Sequence, residues 1–87
     1  MNYLVRWKRK ASDQLAPIWM NASNRNAVTS AAYAIDLMLQ RNPETCGESR
    51  SGTTRILFEP PLAVVYRVQE QQGKVTVLSV RSLPRYS

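Results

Sequence analysis

The sequence predicts an α+β fold, β-α-α-β-β-β, in which a two-helix hairpin packs on one face of a mostly antiparallel sheet. Three observations predict it. Leu62-Ala63-Val64-Val65-Tyr66-Arg67-Val68 is β-branched and aromatic, closed by Pro60-Pro61 before it and by Gln69-Glu70-Gln71-Gln72-Gly73 after it, which marks both ends of a strand. Arg55-Ile56-Leu57-Phe58 and Lys74-Val75-Thr76-Val77-Leu78-Ser79-Val80-Arg81 flank it at hairpin distance, giving a three-strand meander. Ahead of the meander stand a short strand pattern and two successive helical patterns.

Tyr3-Leu4-Val5-Arg6-Trp7 reads as the opening strand, with Tyr3, Val5 and Trp7 on one face and Leu4 and Arg6 on the other. Lys8-Arg9-Lys10 follows directly, so that with Arg6 four of five consecutive residues are cationic. Such a run is either a solvated turn or a contact for a polyanion. Ala11, Leu15, Ile18, Trp19 and Ala22 then form one helical stripe. Pro17 predicts a bent or late-starting helix over about residues 11 to 20, with Ser12 as a cap if the proline lies inside, or with Pro17 opening a shorter helix.

Ser23 is the expected cap of a longer second helix, whose apolar face is Val28, Ala31, Ala32, Ile35, Met38 and Leu39 and which Asn42-Pro43 ends. Leu15, Ile18, Trp19, Val28, Ile35 and Leu39 are expected to cover the sheet. Trp7, Trp19, Tyr33 and Tyr66 are read as core. Glu44 to Gly52 reads as the longest polar connection. In the central strand Leu62, Val64, Tyr66 and Val68 face one way and Ala63, Val65, Arg67 and Gln69 the other. With Arg55, Arg67 and Arg81 in or at the ends of strands, the sheet presents a face or rim bearing guanidinium groups.

At 87 residues the chain supports one core, and residues 1–87 are read as a single domain. Its 12 Lys+Arg against 6 Asp+Glu, a formal charge of +6, point to a polyanion, either nucleic acid or an acidic protein. The lone Cys46, with no histidine anywhere, excludes an intramolecular disulfide and a zinc site, and it is expected to be an inert, partly buried thiol. No apolar run approaches the ~20 residues of a membrane span. The expected location is cytoplasmic, with neither cofactor nor metal.

The element order, together with Ala11-x3-Leu15-x2-Ile18, Ile35-Asp36-x2-Leu39-x2-Asn42-Pro43, Gly47, Arg55-Ile56-Leu57, Val64-Val65-Tyr66-Arg67-Val68 and Val77-Leu78-Ser79-Val80-Arg81, resembles the RelE/ParE superfamily of bacterial type II toxins over nearly the whole chain. The resemblance implies a microbial RNase-like fold and an acidic antitoxin that wraps and neutralises the toxin. It also implies one of two activities. RelE-like members cut messenger RNA in the ribosome, whereas ParE-like members share the fold but poison DNA gyrase; the reading preferred here is ribosome-dependent mRNA cleavage, with gyrase inhibition or an inactive descendant as alternatives.

On the cleavage reading, the resemblance implies that Arg55, Arg81, Arg85 and Tyr86 act at the scissile phosphate, Tyr86 moving a proton. Lys8, Arg9, Lys10, Arg50 and Arg67 are the accompanying candidates for RNA contact. Arginine stays charged at any accessible pH, so it can clamp a phosphate but not transfer a proton. Glu48 and Glu59 are the carboxylate alternatives to Tyr86, Glu59 being equally readable as a surface ion pair. One departure stands out: the arginine that the family carries in its central strand falls at Ala63 here.

Overall fold

The computed structural model describes residues 2–84. Its elements run β1 (Leu4–Trp7), α1 (Arg9–Asn21), α2 (Arg25–Arg41), β2 (Glu48–Ser51), β3 (Thr54–Glu59), β4 (Leu62–Gln69) and β5 (Lys74–Ser82), with a single 3-10 turn at Glu70–Gln72 between the last two. The five strands form one sheet in the order β1-β5-β4-β3-β2. All neighbours are antiparallel except β1 with β5, which is parallel. That is the expected α+β architecture with one strand more.

The extra strand, β2, lies inside the stretch expected to be a polar connection. Glu48-Ser49-Arg50-Ser51 has little intrinsic β preference and all four residues are exposed, so neither propensity nor alternation marks it. Its pairing comes from the two-residue turn Gly52-Thr53, where Gly52 takes φ 55, a backbone conformation suited to a tight hairpin.

The helices also begin elsewhere than expected. Lys8 N donates to Val77 O at 2.9 Å, continuing the β1–β5 pairing, and Ser12 N already donates to Lys8 O, so α1 starts at Arg9 and Ser12 lies within it rather than capping it. The helix runs on through Pro17. Pro17 and Asp13, whose carbonyl loses its partner there, are both exposed, which leaves that carbonyl to water. Asn24 rather than Ser23 caps α2, its Oδ1 accepting from Ala27 N at 3.1 Å.

Packing follows the helical stripe with two corrections. Val28, Ala31, Ile35 and Leu39 of α2 and Ala11 of α1 meet Leu57, Leu62, Val64, Tyr66, Val68, Val75, Val77 and Val80 in one buried cluster, with Leu15, Ile18 and Trp7 against its edge. Trp19 and Tyr33, expected in the core, are 41% and 67% exposed. Trp19 lies just off the stripe on the outer side of the helix pair, where Nε1 donates to Thr29 Oγ1 at 3.1 Å and Arg25 stacks 4.9 Å from its ring. Tyr33 falls between the buried positions Ala31 and Ile35, turned to solvent.

Side chains tie off the sheet edge. Asp36 of α2 accepts from Trp7 Nε1 at 3.3 Å and from Gln40 Nε2 at 2.8 Å, while Tyr3 N donates to Gln40 O, so α2 holds β1 against β5. Beyond the end of β1 the edge of β5 would be bare; there Gln14 Oε1 accepts from Val80 N at 2.9 Å, taking the place of a strand.

The loop after α2 is fixed by Tyr66. Its hydroxyl, fully buried, donates to Pro43 O at 2.6 Å and lies 3.8 Å from Cys46 Sγ. Burial first, then the hydrogen bond with Cys46, pushes this phenol up to about 12 against the opposing pull of Arg55. Cys46 is half-buried. Gly47 leaves no room for a side chain: a Cβ there would stand 2.5 Å from Tyr66 Oη and 2.7 Å from Ile56 O.

Two outcomes follow from this packing. Ile35→Ala should cost about 2–5 kcal/mol in urea denaturation, whereas Trp19→Ala should cost no more than about 1 kcal/mol, the worth of an exposed cation–π contact; equal losses would put Trp19 back in the core. Because the phenol of Tyr66 titrates higher in the folded state than its ordinary value of 10.0, its contribution is complete below about pH 10 and is lost as pH rises through about 12. Tyr66→Phe should remove that alkaline slope and leave Pro43 O unpaired, at a cost of about 1–3 kcal/mol at neutral pH.

Candidate nucleic-acid interface

Both helices pack on one side of the sheet, so the alternation of each strand sends every second side chain to the other, open side. The register lines these residues up in rows. Arg6 pairs with Thr76, Thr76 with Arg67, Arg67 with Thr54 and Thr54 with Ser51, a row that crosses all five strands. The next is Ser79, Val65, Ile56 and Glu48, and a third places Arg81 beside Ala63 and Ala63 beside Phe58.

Arg81, Arg50, Ile56, Ala63, Val65 and Ser79 surround a shallow hollow of about 170 Å³ that Gln14 closes at one side. A register shift between Ser49 and Ser51 frees Arg50 from strict alternation and lets it join this side. Its lining mixes polar and apolar side chains. Ala63 lies between Phe58 and Arg81 in the sheet.

Arg67 and Arg81 thus share the open face, on rows about 13 Å apart along β4, and Arg50 joins Arg81. Arg55 does not. It pairs with Tyr66, which puts it on the helix side, where Nη2 donates to Gly47 O and Nε is buried without a partner. Arg55 meets Arg67 only at the end of the sheet, where both border a hollow of about 540 Å³ with Glu44, Thr53, Gln71 and Gln72.

Lys8, Arg9 and Lys10 are exposed at the start of α1. Arg9 faces Asp13 at 3.9 Å, the one ion pair among the described residues, and Lys10 lies one helical turn from Gln14 beside the smaller hollow. Glu48 stands on the open face across from Ile56, while Glu59 closes β3 opposite Leu62 and pairs with no arginine among the described residues. Arg85 and Tyr86 lie outside the described residues. Arg6 was not singled out as a site residue; the signal for it was present, since it alternates with the inward Val5 and Trp7, but only the parallel pairing of β1 shows that it shares a row with Arg67.

Among the described residues no group of three His, Cys, Asp or Glu could hold a metal ion, and no helix is long and apolar enough to cross a membrane. Among the described residues the face offers fixed positive charge, hydroxyls from Thr54, Thr76 and Ser79, and one carboxylate, Glu48. That set can bind and neutralise phosphates, and its carboxylate, Glu48, is of the chemical kind that general acid-base catalysis uses.

No family model matches the chain, and no curated protein matches it in sequence. Solved structures do match its shape. The chain is similar to the toxin-antitoxin complex RelBE2 from Mycobacterium tuberculosis, with a TM-score of 0.78 at 18% identity over 94% of this chain and 92% of that one. It is similar to the chromosomal ParDE system from P. aeruginosa, at 0.74 and 18% over 94% and 97%, and to the isolated E. coli RelE toxin, at 0.68 and 15% over 97% and 87%. Two helices laid on one side of a five-stranded mixed sheet, in this order and at this coverage, are the RelE/ParE-like α+β fold.

Proposed function

We propose that this chain is the toxin of a two-protein toxin-antitoxin pair, acting in the cytoplasm and held inactive by an acidic partner protein, and that its open sheet face cleaves messenger RNA on the ribosome. The observation that carries this reading is the set of arginines on that face, Arg6, Arg50, Arg67 and Arg81, which have no carboxylate partner among the described residues. An arginine serving only the fold is usually matched to an acceptor, as Arg55 is to Gly47 O. The fold, shared with solved toxins in and out of their complexes, supports the same reading, as does a charge of +6 that an acidic partner would neutralise.

Cleavage by this face uses the 2′-hydroxyl of the RNA. Its oxygen attacks the adjacent phosphorus while the bond to the 5′-oxygen breaks, leaving a 2′,3′-cyclic phosphate and a 5′-hydroxyl. A base takes the 2′ proton and an acid supplies one to the departing oxygen. Arg50 and Arg81, on opposite sides of the hollow, neutralise the charge that grows on the phosphorus oxygens. Glu48, one row away, takes the base role, while Tyr86 moves a proton and Arg85 binds at the phosphate, the roles that the family resemblance implies for them. Arg55 contributes from behind, fixing the loop that leads into β2.

A second reading, inhibition of DNA gyrase without RNA cleavage, is favoured by one observation. Ile56, Ala63 and Val65 bring three apolar side chains into the hollow beside the arginines, contacts that a protein partner can bury and a phosphate cannot.

Inducing the chain alone in a bacterial host should arrest growth, and co-expressing an acidic protein from the neighbouring reading frame should restore it. Primer extension on translated messenger RNA should then show cleavage that Arg81→Ala slows by roughly 10²-fold, the usual cost of one lost charge donor. Growth arrest with intact transcripts and a loss of supercoiling activity would transfer the protein to the gyrase reading. Unchanged growth in the presence of verified folded protein would refute both.

A further inference from the structure

The row Arg6, Thr76, Arg67, Thr54 and Ser51 belongs neither to the hollow at Arg50 and Arg81 nor to the core. It runs perpendicular to the strands and crosses the whole sheet. Arg6 and Arg67 are exposed, and Thr76 between them is half-buried. Two strand spacings separate the arginines, roughly 10 Å, with a hydroxyl midway. Lys74, paired with Leu4 on one side and Gln69 on the other, adds a further cation on the adjoining row of the same face.

We propose that this row is a track for the sugar-phosphate backbone of single-stranded RNA, running across the strands about 13 Å along β4 from the row of Arg81 and positioning the strand that is cut in the hollow between them. The proposal rests on the RNA reading above and assigns Arg6 and Arg67 as positioning residues. Three features carry it.

The guanidiniums of Arg6 and Arg67 have no carboxylate partner among the described residues, so an incoming phosphate need not displace one. A threonine hydroxyl, that of Thr76, rather than an apolar side chain separates them, and phosphate and ribose oxygens take hydrogen bonds from just such groups. Neither arginine anchors a loop, in contrast to Arg55 with Gly47. No aromatic ring lies in the row, so the track holds backbone and leaves the bases unread. It sets the direction and register of the strand, not its sequence.

A track of this kind has a measurable electrostatic signature. Each phosphate neutralised on a single strand contributes about 0.7 to the slope of log affinity against log salt concentration. Binding of a labelled, uncleavable single-stranded 2′-O-methyl RNA oligonucleotide to the whole chain would be followed by fluorescence anisotropy between about 50 and 200 mM salt. Arg6→Ala and Arg67→Ala should each reduce the slope by about 0.7, with circular dichroism unchanged, and Arg6→Lys and Arg67→Lys should restore it. If both alanine variants keep the wild-type slope while Arg50→Ala or Arg81→Ala loses it, RNA binds at the hollow alone and the track is refuted with the RNA reading intact. If the wild-type chain binds this oligonucleotide with no dependence on salt, or not at all, the track and the RNA reading fall together.

Discussion

Two helices cannot wrap a five-stranded sheet, and nearly everything about the surface of this protein depends on that limit. Burying one face of β3, β4 and β5 consumes the whole apolar stripe of the pair, down to Ala11 and Val28 at its ends. Nothing is left to cover the reverse side. A strand with one dry face must carry side chains on the other that tolerate water, and in β4 these are Ala63, Val65 and Arg67, of which only Arg67 is exposed outright. The result is a broad, shallow, cationic surface whose geometry is inherited from the core behind it.

Parity then decides what each arginine can do. Arg55 and Arg67 both sit in strands of the same hairpin, yet the first pairs with Tyr66 and the second with Thr54, which places them on opposite sides of the sheet. Arg55 on the inner side works for the fold: together with the Tyr66 hydroxyl it fastens the chain between Pro43 and Gly47. The buried Nε without an acceptor is the cost of taking a guanidinium into that position. On the outer side Arg67 has no such duty and keeps its charge available.

Much of this was legible in the sequence because it rests on local periodicity. The inward and outward sets of β4, the buried line Val28, Ala31, Ile35 and Leu39, the ending of α2 at Asn42-Pro43 and the meander are all statements about neighbours in sequence. The parts that were not legible depend on distant partners. Glu48–Ser51 becomes a strand only because β3 is there to pair with it, and α1 starts early because Lys8 N finds Val77 O. Trp19 looked like a core residue from its position one step from Ile18, but a stripe has an edge and Trp19 lies beyond it. The facing of Arg55 turned on where β3 begins, since a shift of a single residue reverses every side chain in a strand.

The polar β2 has a mechanical consequence for the hollow it borders. One wall, β5, is backed by Val75, Val77 and Val80, all buried in the core. The opposite wall is a four-residue arm with no buried side chain, rooted where Gly47 is pressed against Tyr66 and Ile56 and ended by an open turn at Gly52. Segments with few buried contacts open at low free energy, so the hollow has one stiff jaw and one compliant jaw. Arg50 rides on the compliant one and Arg81 on the stiff one, and the span between their charges is therefore an adjustable dimension of an otherwise rigid molecule.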